Sequence, residues 1–218
     1  MIYRAPRLVA CGDAAILIEL ADEIDDAVND RVHALAHHVR SQNRPAILDL
    51  IPAYASLLVC YDPAQILFAP LADYLRTILQ AIPTRATAPP RLIEIPTRYG
   101  GEFGPDLKFL AAFSGLSETE VVRLHSETIY RVYLIGFAPG FAYLGSVPAP
   151  IAAPRLETPR TRVPAGSVGI AGKQTGIYPT ETPGGWRLIG RTDLQLFDPR
   201  DDPPTLLRPG DRVKFVPC

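Results

Sequence analysis

Apolar and polar positions alternate in blocks that change character near the middle of the chain. Residues 7–20 (RLVACGDAAILIEL) read as two short strands around a Gly12-Asp13 turn. From Asp22 to Asn43 the period lengthens to that of a helix. Ile24, Val28, Val32, Leu35, Ala36 and Val39 form its apolar face, with acidic residues in the first turn. Residues 46–61 (AILDLIPAYASLLVCY) read as two more strands meeting near Pro52-Ala53. A second helix is expected over 63–82, with Pro63 in its first turn and Leu67, Leu71, Tyr74, Leu75, Ile78 and Leu79 on its apolar face. Pro70 is expected to kink or split that helix, because proline removes a backbone donor and crowds the preceding turn. Residues 83–91 (PTRATAPPR) carry three prolines and no bulky apolar side chain, so they read as a linker.

The remaining half starts with a strand at 92–99 (LIEIPTRY) and a Gly-rich turn that launches a helix near 106–115. Ser117 and Glu120 form a capping box for a further helix to about His125. After Tyr130, short apolar runs alternate with Gly and Pro, the texture of a β-barrel or sandwich with rigid loops. The fold class is therefore α+β: a small sandwich with helices on one face over 1–83, a linker at 84–91 and a β-rich domain over 92–218.

Length and composition narrow the functional classes. The chain has 218 residues, 47% apolar and 21% charged, enough for a real core. A formal net charge of −1 provides no field for nucleic acid or an anionic membrane. No apolar run is long enough to span a bilayer, and the N-terminus lacks the apolar stretch of a secretory signal. Cys11, Cys60 and Cys218 have no metal-binding spacing; they read as reduced thiols of a cytoplasmic protein, buried as small apolar residues. His33 and His37 are spaced i,i+4 but lack a Glu partner and a third ligand, so they read as helix surface and not as a metal site.

Chemistry concentrates in 136–192. There Arg155, Arg160, Arg162, Lys173, Arg187 and Arg191 face only Glu157 and Glu181, a balance that suits a small anion or an acidic partner. Three motifs fail on inspection. Gly172-Lys173-Gln174 lacks the hydroxyl residue and helix of a phosphate loop. Ala165-Gly166-Ser167-Val168-Gly169 lacks the helix of a nucleophile elbow. Pro139, Phe137 and Phe141 obstruct a dinucleotide loop at Gly136–Gly140. What remains is an aromatic set, Phe137, Phe141, Tyr143, Tyr178 and Trp186, beside arginines able to grip a carboxylate or phosphate. Gln174 is able both to donate to and accept from an amide. The alternative is that the rings are core and the arginines pair with Glu157, Glu181, Asp193 and Asp198.

The runs YRVYLIGFAPGFAYLG (130–145) and TPRTRVPAGSVGIAGKQTGIYPTETPGGWRLIGRT (158–192) resemble the family of the 5-oxoprolinase B subunit, allophanate hydrolase subunit 1 and the KipI-like histidine-kinase inhibitor. PTRYGGEFGPDL (96–107), LHSETIYRVY (124–133), LFDP (196–199) and LRPGDRVKF (207–215) extend the resemblance. It implies an N-terminal ferredoxin-like domain and a C-terminal cyclophilin-like β-barrel, in shape only and without prolyl isomerase activity. It also implies one component of an ATP-dependent 5-oxoprolinase; with no phosphate loop, biotin-lysine motif or base-nucleophile pair of its own, the chain is expected to be inactive alone. That enzyme opens the lactam to glutamate with the help of a homologous second barrel protein (its C subunit) and of its A subunit. The alternatives are a module that inhibits a sensor histidine kinase and a protein related to the carboxyltransferase part of urea carboxylase. ATP is expected on the assembled complex. On the first reading Arg155 or Arg160 holds the substrate carboxylate, with Arg191 as a further anion contact. Gln174 meets the lactam edge, Phe137 and Phe141 help line the pocket, Tyr143, Tyr178 and Trp186 exclude water, and His125, the only histidine after residue 38, is a candidate proton carrier.

Overall fold

The computed structural model describes residues 1–81 and 90–218, and the chain divides into two units, Met1–Pro89 and Pro90–Cys218. Of the expected linker at 84–91, residues 84–89 lie outside the described residues.

The first unit opens with a hairpin, β1 (Ile2–Ala10) and β2 (Ala15–Ala21), turned at Gly12 with a positive φ of 63°. Helix α1 (Asp26–Ser41) follows, capped by Asp25, whose carboxylate accepts the Val28 N–H at 2.9 Å. That cap starts the helix later than the periodicity suggests and leaves Ile24 outside it, exposed. Buried Asn29 docks α1 by donating to the Ala53 and Tyr54 carbonyls at 3.2 and 3.1 Å. A second hairpin, β3 (Ile47–Pro52) and β4 (Ser56–Tyr61), leads to α2 (Phe68–Ala81).

Helix α2 is uninterrupted, which corrects the kink expected at Pro70. Because the helix begins at Phe68, Pro70 lies in the first turn, where the missing N–H has no intrahelical partner to lose. The sheet is antiparallel in the order β1-β2-β4-β3. That is the strand order of a ferredoxin-like sandwich whose last strand has been moved to the front. Ile16, Ile18, Leu57 and Val59 from the sheet meet Val32, Leu35, Leu71 and Leu75 from the helices, all fully buried. The cysteines are not the small buried residues expected. Cys11 ends the first hairpin and is exposed, Cys218 is exposed, and Cys60 lies half-buried on the face of β4 opposite Leu57 and Val59.

In the second unit, β5 (Leu92–Tyr99) leads into α3 (Leu107–Ser114), ended by Gly115 in the left-handed region, and then α4 (Glu118–Glu127). The Ser117/Glu120 capping box is present. Strands β6 (Ile129–Ile135), β7 (Ala142–Gly145), β8 (Arg160–Val163), β9 (Ser167–Ala171), β10 (Gln174–Ile177), β11 (Thr182–Gly184), β12 (Arg187–Arg191) and β13 (Arg212–Pro217) complete the unit. Of the unit's nine strands, β5 included, seven close a barrel in the order β10-β7-β6-β13-β5-β12-β9, with β5 and β13 parallel and the other neighbours antiparallel. The other two, β8 and β11, form a separate two-stranded ribbon.

Side chains alternate across the barrel wall. Ile95, Val132, Leu144, Val168, Ile170, Ile177, Ile189 and Phe215 fill the interior together with Leu110 of α3 and Val121 of α4. A second, smaller cluster of Phe141, Val163, Ala171, Tyr178, Trp186 and Leu188 lies between the outer wall and the ribbon. Gly104 lets the chain before α3 touch β12: a Cβ there would lie 2.0 Å from the Ile189 carbonyl oxygen. Gly104→Ala is therefore expected to destabilise this unit by about 3 kcal/mol, the upper end of the overpacking range. Urea unfolding followed by the fluorescence of Trp186 measures it.

Candidate functional site

The second cluster encloses an open cavity of about 290 Å³. Tyr143 of β7 and Phe141 just before it form its floor, and Trp186 and Tyr178, which precede β12 and follow β10, form its sides. Leu156 and Pro159 ahead of β8, with Pro183, Gly184 and Gly185 in and after β11, form the ribbon wall. The rings pack edge to face around Phe141. Its centroid lies 4.9 Å from Tyr143, 5.2 Å from Tyr178 and 5.5 Å from Trp186, with interplanar angles of 64°, 78° and 87°.

Glycines permit this packing. Gly176 of β10 and Gly169 of β9 are register partners on the outer wall. A Cβ at Gly176 would stand 3.0 Å from the Phe141 ring and 3.1 Å from the Trp186 ring, and one at Gly169 3.0 Å from Trp186 Cβ. On the ribbon side, a Cβ at Gly184 would stand 2.4 Å from the Tyr178 hydroxyl.

Phe137 stands at the mouth. It is 63% exposed and has a φ of +70°, a conformation that disfavours any residue other than glycine. A tight turn imposes it: the Ala138 N–H donates to the Gly136 carbonyl and the Gly136 N–H to the Phe141 carbonyl, at 2.9 and 3.0 Å. Phe137 meets Phe141 and Tyr178 edge-on at 5.4 and 6.4 Å.

Arg155 is the cation on the rim. It is exposed, and among the described residues it has no carboxylate within ion-pair distance. Burial raises the Tyr143 and Tyr178 hydroxyls above the ordinary tyrosine range, and the Arg155 charge opposes the rise in both. The cavity thus joins aromatic faces, two neutral hydroxyls and one uncompensated guanidinium. Such a set suits a small flat ring bearing a single carboxylate.

Six of the residues expected at a site therefore line one cavity: Phe137, Phe141, Tyr143, Arg155, Tyr178 and Trp186. Four others do not. Arg160 turns from the cavity to Asp106, with Nη2 2.9 Å from Oδ1. Arg191 stacks on the Phe103 ring at 4.6 Å, sharing it with Arg98 at 4.3 Å. Gln174 opens β10, paired with Gly145 and Ala171 outside the cavity lining. His125 lies inside the barrel with no exposed surface.

His125 is the largest correction. Its Nε2 is 2.9 Å from Thr175 Oγ1 on β10 and its Nδ1 is 2.8 Å from the Tyr99 hydroxyl on β5, so the ring spans the interior. Thr175 uses its own proton on the Gly169 carbonyl at 2.9 Å, which makes it the acceptor from His125. The network fixes the tautomer: the proton sits on Nε2, and Nδ1 accepts from Tyr99. Burial holds the imidazole neutral, with a pKa lowered to about 3, out of reach of any ligand in the cavity. Sequence reasoning missed the ribbon wall, because Pro159, Pro183, Gly184 and Gly185 carry no chemistry and read as turns. It also missed Asp106, which sits 54 residues from its partner.

No group of three or more metal-ligating side chains occurs among the described residues. Nor is any described helix long and apolar enough to cross a membrane.

The family description "carboxyltransferase domain, subdomain C and D" matches residues 6–207. The chain is 47% identical over 215 residues to the 5-oxoprolinase B subunit of Bacillus subtilis, covering 94% of this chain and 90% of that one. The crystal structure of TTHA0988 superposes with a TM-score of 0.83 at 39% identity, covering 94% of this chain and 40% of the other. The chain thus spans about two-fifths of that longer polypeptide. Urea amidolyase of Saccharomyces cerevisiae is 24% identical over 248 residues, and the match spans 13% of its length.

The buried histidine has a measurable consequence. Its pKa is depressed on folding, so the neutral ring contributes fully above the unfolded value of about 6.5, and that contribution falls as pH drops toward 3. Between pH 7 and pH 5 the loss is about 2 kcal/mol, from 1.36 kcal/mol per unit over the 1.5 units below 6.5. Denaturant unfolding of the chain and of His125→Phe at both pH values measures it. The variant is expected to be less stable at pH 7 and to lose about 2 kcal/mol less on acidification.

Proposed function

Because the chain belongs to the family of carboxyltransferase domains, subdomains C and D, we propose that it is the B subunit of an ATP-dependent 5-oxoprolinase, inactive alone. The observation that carries this reading is the 47% identity to the Bacillus subtilis B subunit over 90% of that protein. The cavity supports it, because 5-oxoproline is a small flat ring with one carboxylate.

A lactam is a stable amide and a poor electrophile; ATP supplies the chemistry by phosphorylating its oxygen, which prepares the carbon for water. The stretch that comes nearest to a phosphate loop in sequence does not form one. Gly172-Lys173 is the turn between antiparallel strands β9 and β10 and launches no helix. We therefore assign ATP to the partner proteins, the homologous barrel-type C subunit and the A subunit.

This chain's part is to bind and orient. Arg155 grips the substrate carboxylate, and Phe141 and Trp186 flank the ring. The Tyr143 and Tyr178 hydroxyls, whose ionisation burial disfavours further, donate to its polar edge. Arg160, Gln174 and Arg191 act outside first contact with the ring, and no proton passes through His125.

The similarity to urea amidolyase favours a second reading, a carboxyltransferase module acting on a urea-like amide. The test is ATP-dependent glutamate release from 5-oxoproline, with this chain alone and with the products of its neighbouring genes. Activity is expected only in the mixture and lost when this chain is omitted. No glutamate in any combination overturns the reading, and biotin-dependent urea carboxylation in the mixture replaces it with the second. In the active mixture, Arg155→Leu is expected to raise KM for 5-oxoproline roughly ten- to a hundredfold, the worth of a charge-assisted hydrogen bond.

A further inference from the structure

Asp106 stands at the N-cap of α3, where an aspartate ordinarily accepts a backbone N–H of its own helix; here its side chain makes no such bond. The carboxylate, nearly buried, is turned to two other partners. Oδ2 accepts the Leu188 N–H of β12 at 2.7 Å, and Oδ1 meets Arg160 Nη2 of β8 at 2.9 Å. The Asp106 N–H in turn donates to the Leu188 carbonyl at 2.9 Å. One carboxylate therefore joins the ribbon to the barrel. The two ends it joins are both walls of the aromatic cavity. Arg160 follows wall residue Pro159 and pairs across the ribbon with wall residue Gly184. Leu188 lies two residues beyond Trp186, and Arg160 Nη1 is 3.5 Å from the Trp186 carbonyl oxygen.

The ribbon needs such a tie. Strands β8 and β11 pair only with each other and stand outside the barrel's ladder. A two-stranded ribbon is marginal without further packing. The ion pair is also well sheltered, with side-chain exposures of 28% for Arg160 and 10% for Asp106, so it holds a fixed geometry better than a surface pair does. By contrast Arg162, on the same strand, pairs with Glu181 in the open, with exposures of 76% and 48%.

We propose that Arg160 is a positioning residue: through Asp106 it sets the spacing between the ribbon wall and Trp186, and so the width of the cavity. Its effect on catalysis rests on the 5-oxoprolinase reading, whereas its effect on the cavity does not. The pairing also explains why carboxylate recognition falls to Arg155: the Arg160 charge is already matched by Asp106.

Trp186 is the only tryptophan and reports the wall directly. The experiment measures acrylamide quenching of its emission in the isolated full chain, for Arg160→Lys, Asp106→Asn, their double variant and Arg162→Gln. All are read at a temperature where circular dichroism shows the parent spectrum. Quenching is expected to rise at least twofold in each single variant and no further in the double one, while Arg162→Gln matches the parent. In the assembled enzyme, Arg160→Lys is expected to raise KM for 5-oxoproline about tenfold with kcat within twofold.

Parental quenching in both single variants, or a double variant equal to the sum of the singles, overturns the latch. A kcat loss without a KM change overturns its role in binding. A complex inactive on 5-oxoproline whose Trp186 still responds rejects the substrate and leaves the latch standing.

Discussion

Two facing glycines determine what the outer wall of the barrel is able to hold. Gly169 and Gly176 sit opposite each other on β9 and β10, and Phe141 and Trp186 pack so close that a Cβ on either glycine would stand about 3 Å from them. A Cβ at Gly176 would stand 3.0 and 3.1 Å from the two rings and 3.0 Å from the Ala142 carbonyl oxygen, so a larger residue there crowds both rings. The cavity, the edge-to-face cluster and the seat of the ribbon all follow from that shallow saddle. Gly184 repeats the device from the ribbon side, where the Tyr178 hydroxyl occupies the space of its missing side chain.

The strands that carry the saddle also carry the interior. Along β10, Thr175 points inward to His125 and Gly176 points outward to the rings, as a period of two requires. The histidine ties β10 to β5 across the barrel, so the cavity floor is braced from behind by a neutral, fully hydrogen-bonded network. Charge is arranged with the same economy. Asp106 matches Arg160, Glu181 matches Arg162, and Arg98 and Arg191 share the Phe103 face. Arg155 stands exposed on the rim of the cavity.

Elements with local causes were legible in the sequence. The Ser117/Glu120 box, the helical spacing of Val28, Val32, Leu35 and Val39, and the Gly12-Asp13 turn each act within a few residues. The aromatic set was legible as well, since its members are large, few and clustered in Gly-rich runs. The limits came from tertiary context. Pro70 reads as a breaker until the helix start is known to be Phe68. Arg160 reads as an anion ligand until Asp106, far away in the chain, is found against it. His125 reads as a proton carrier near a helix end until the barrel closes around it. Each difference is one of partner or orientation, which residue type alone does not encode.

On the proposed reading, the cavity of Phe141, Trp186 and Arg155 receives the ring and carboxylate of the substrate. The most direct measurement is a crystal structure of the assembled subunits with 5-oxoproline and a non-hydrolysable ATP analogue. The expected density places the ring between Phe141 and Trp186, its carboxylate on Arg155, and the nucleotide on a partner protein. Substrate density elsewhere in the assembly, with this cavity closed or filled by protein, would contradict it.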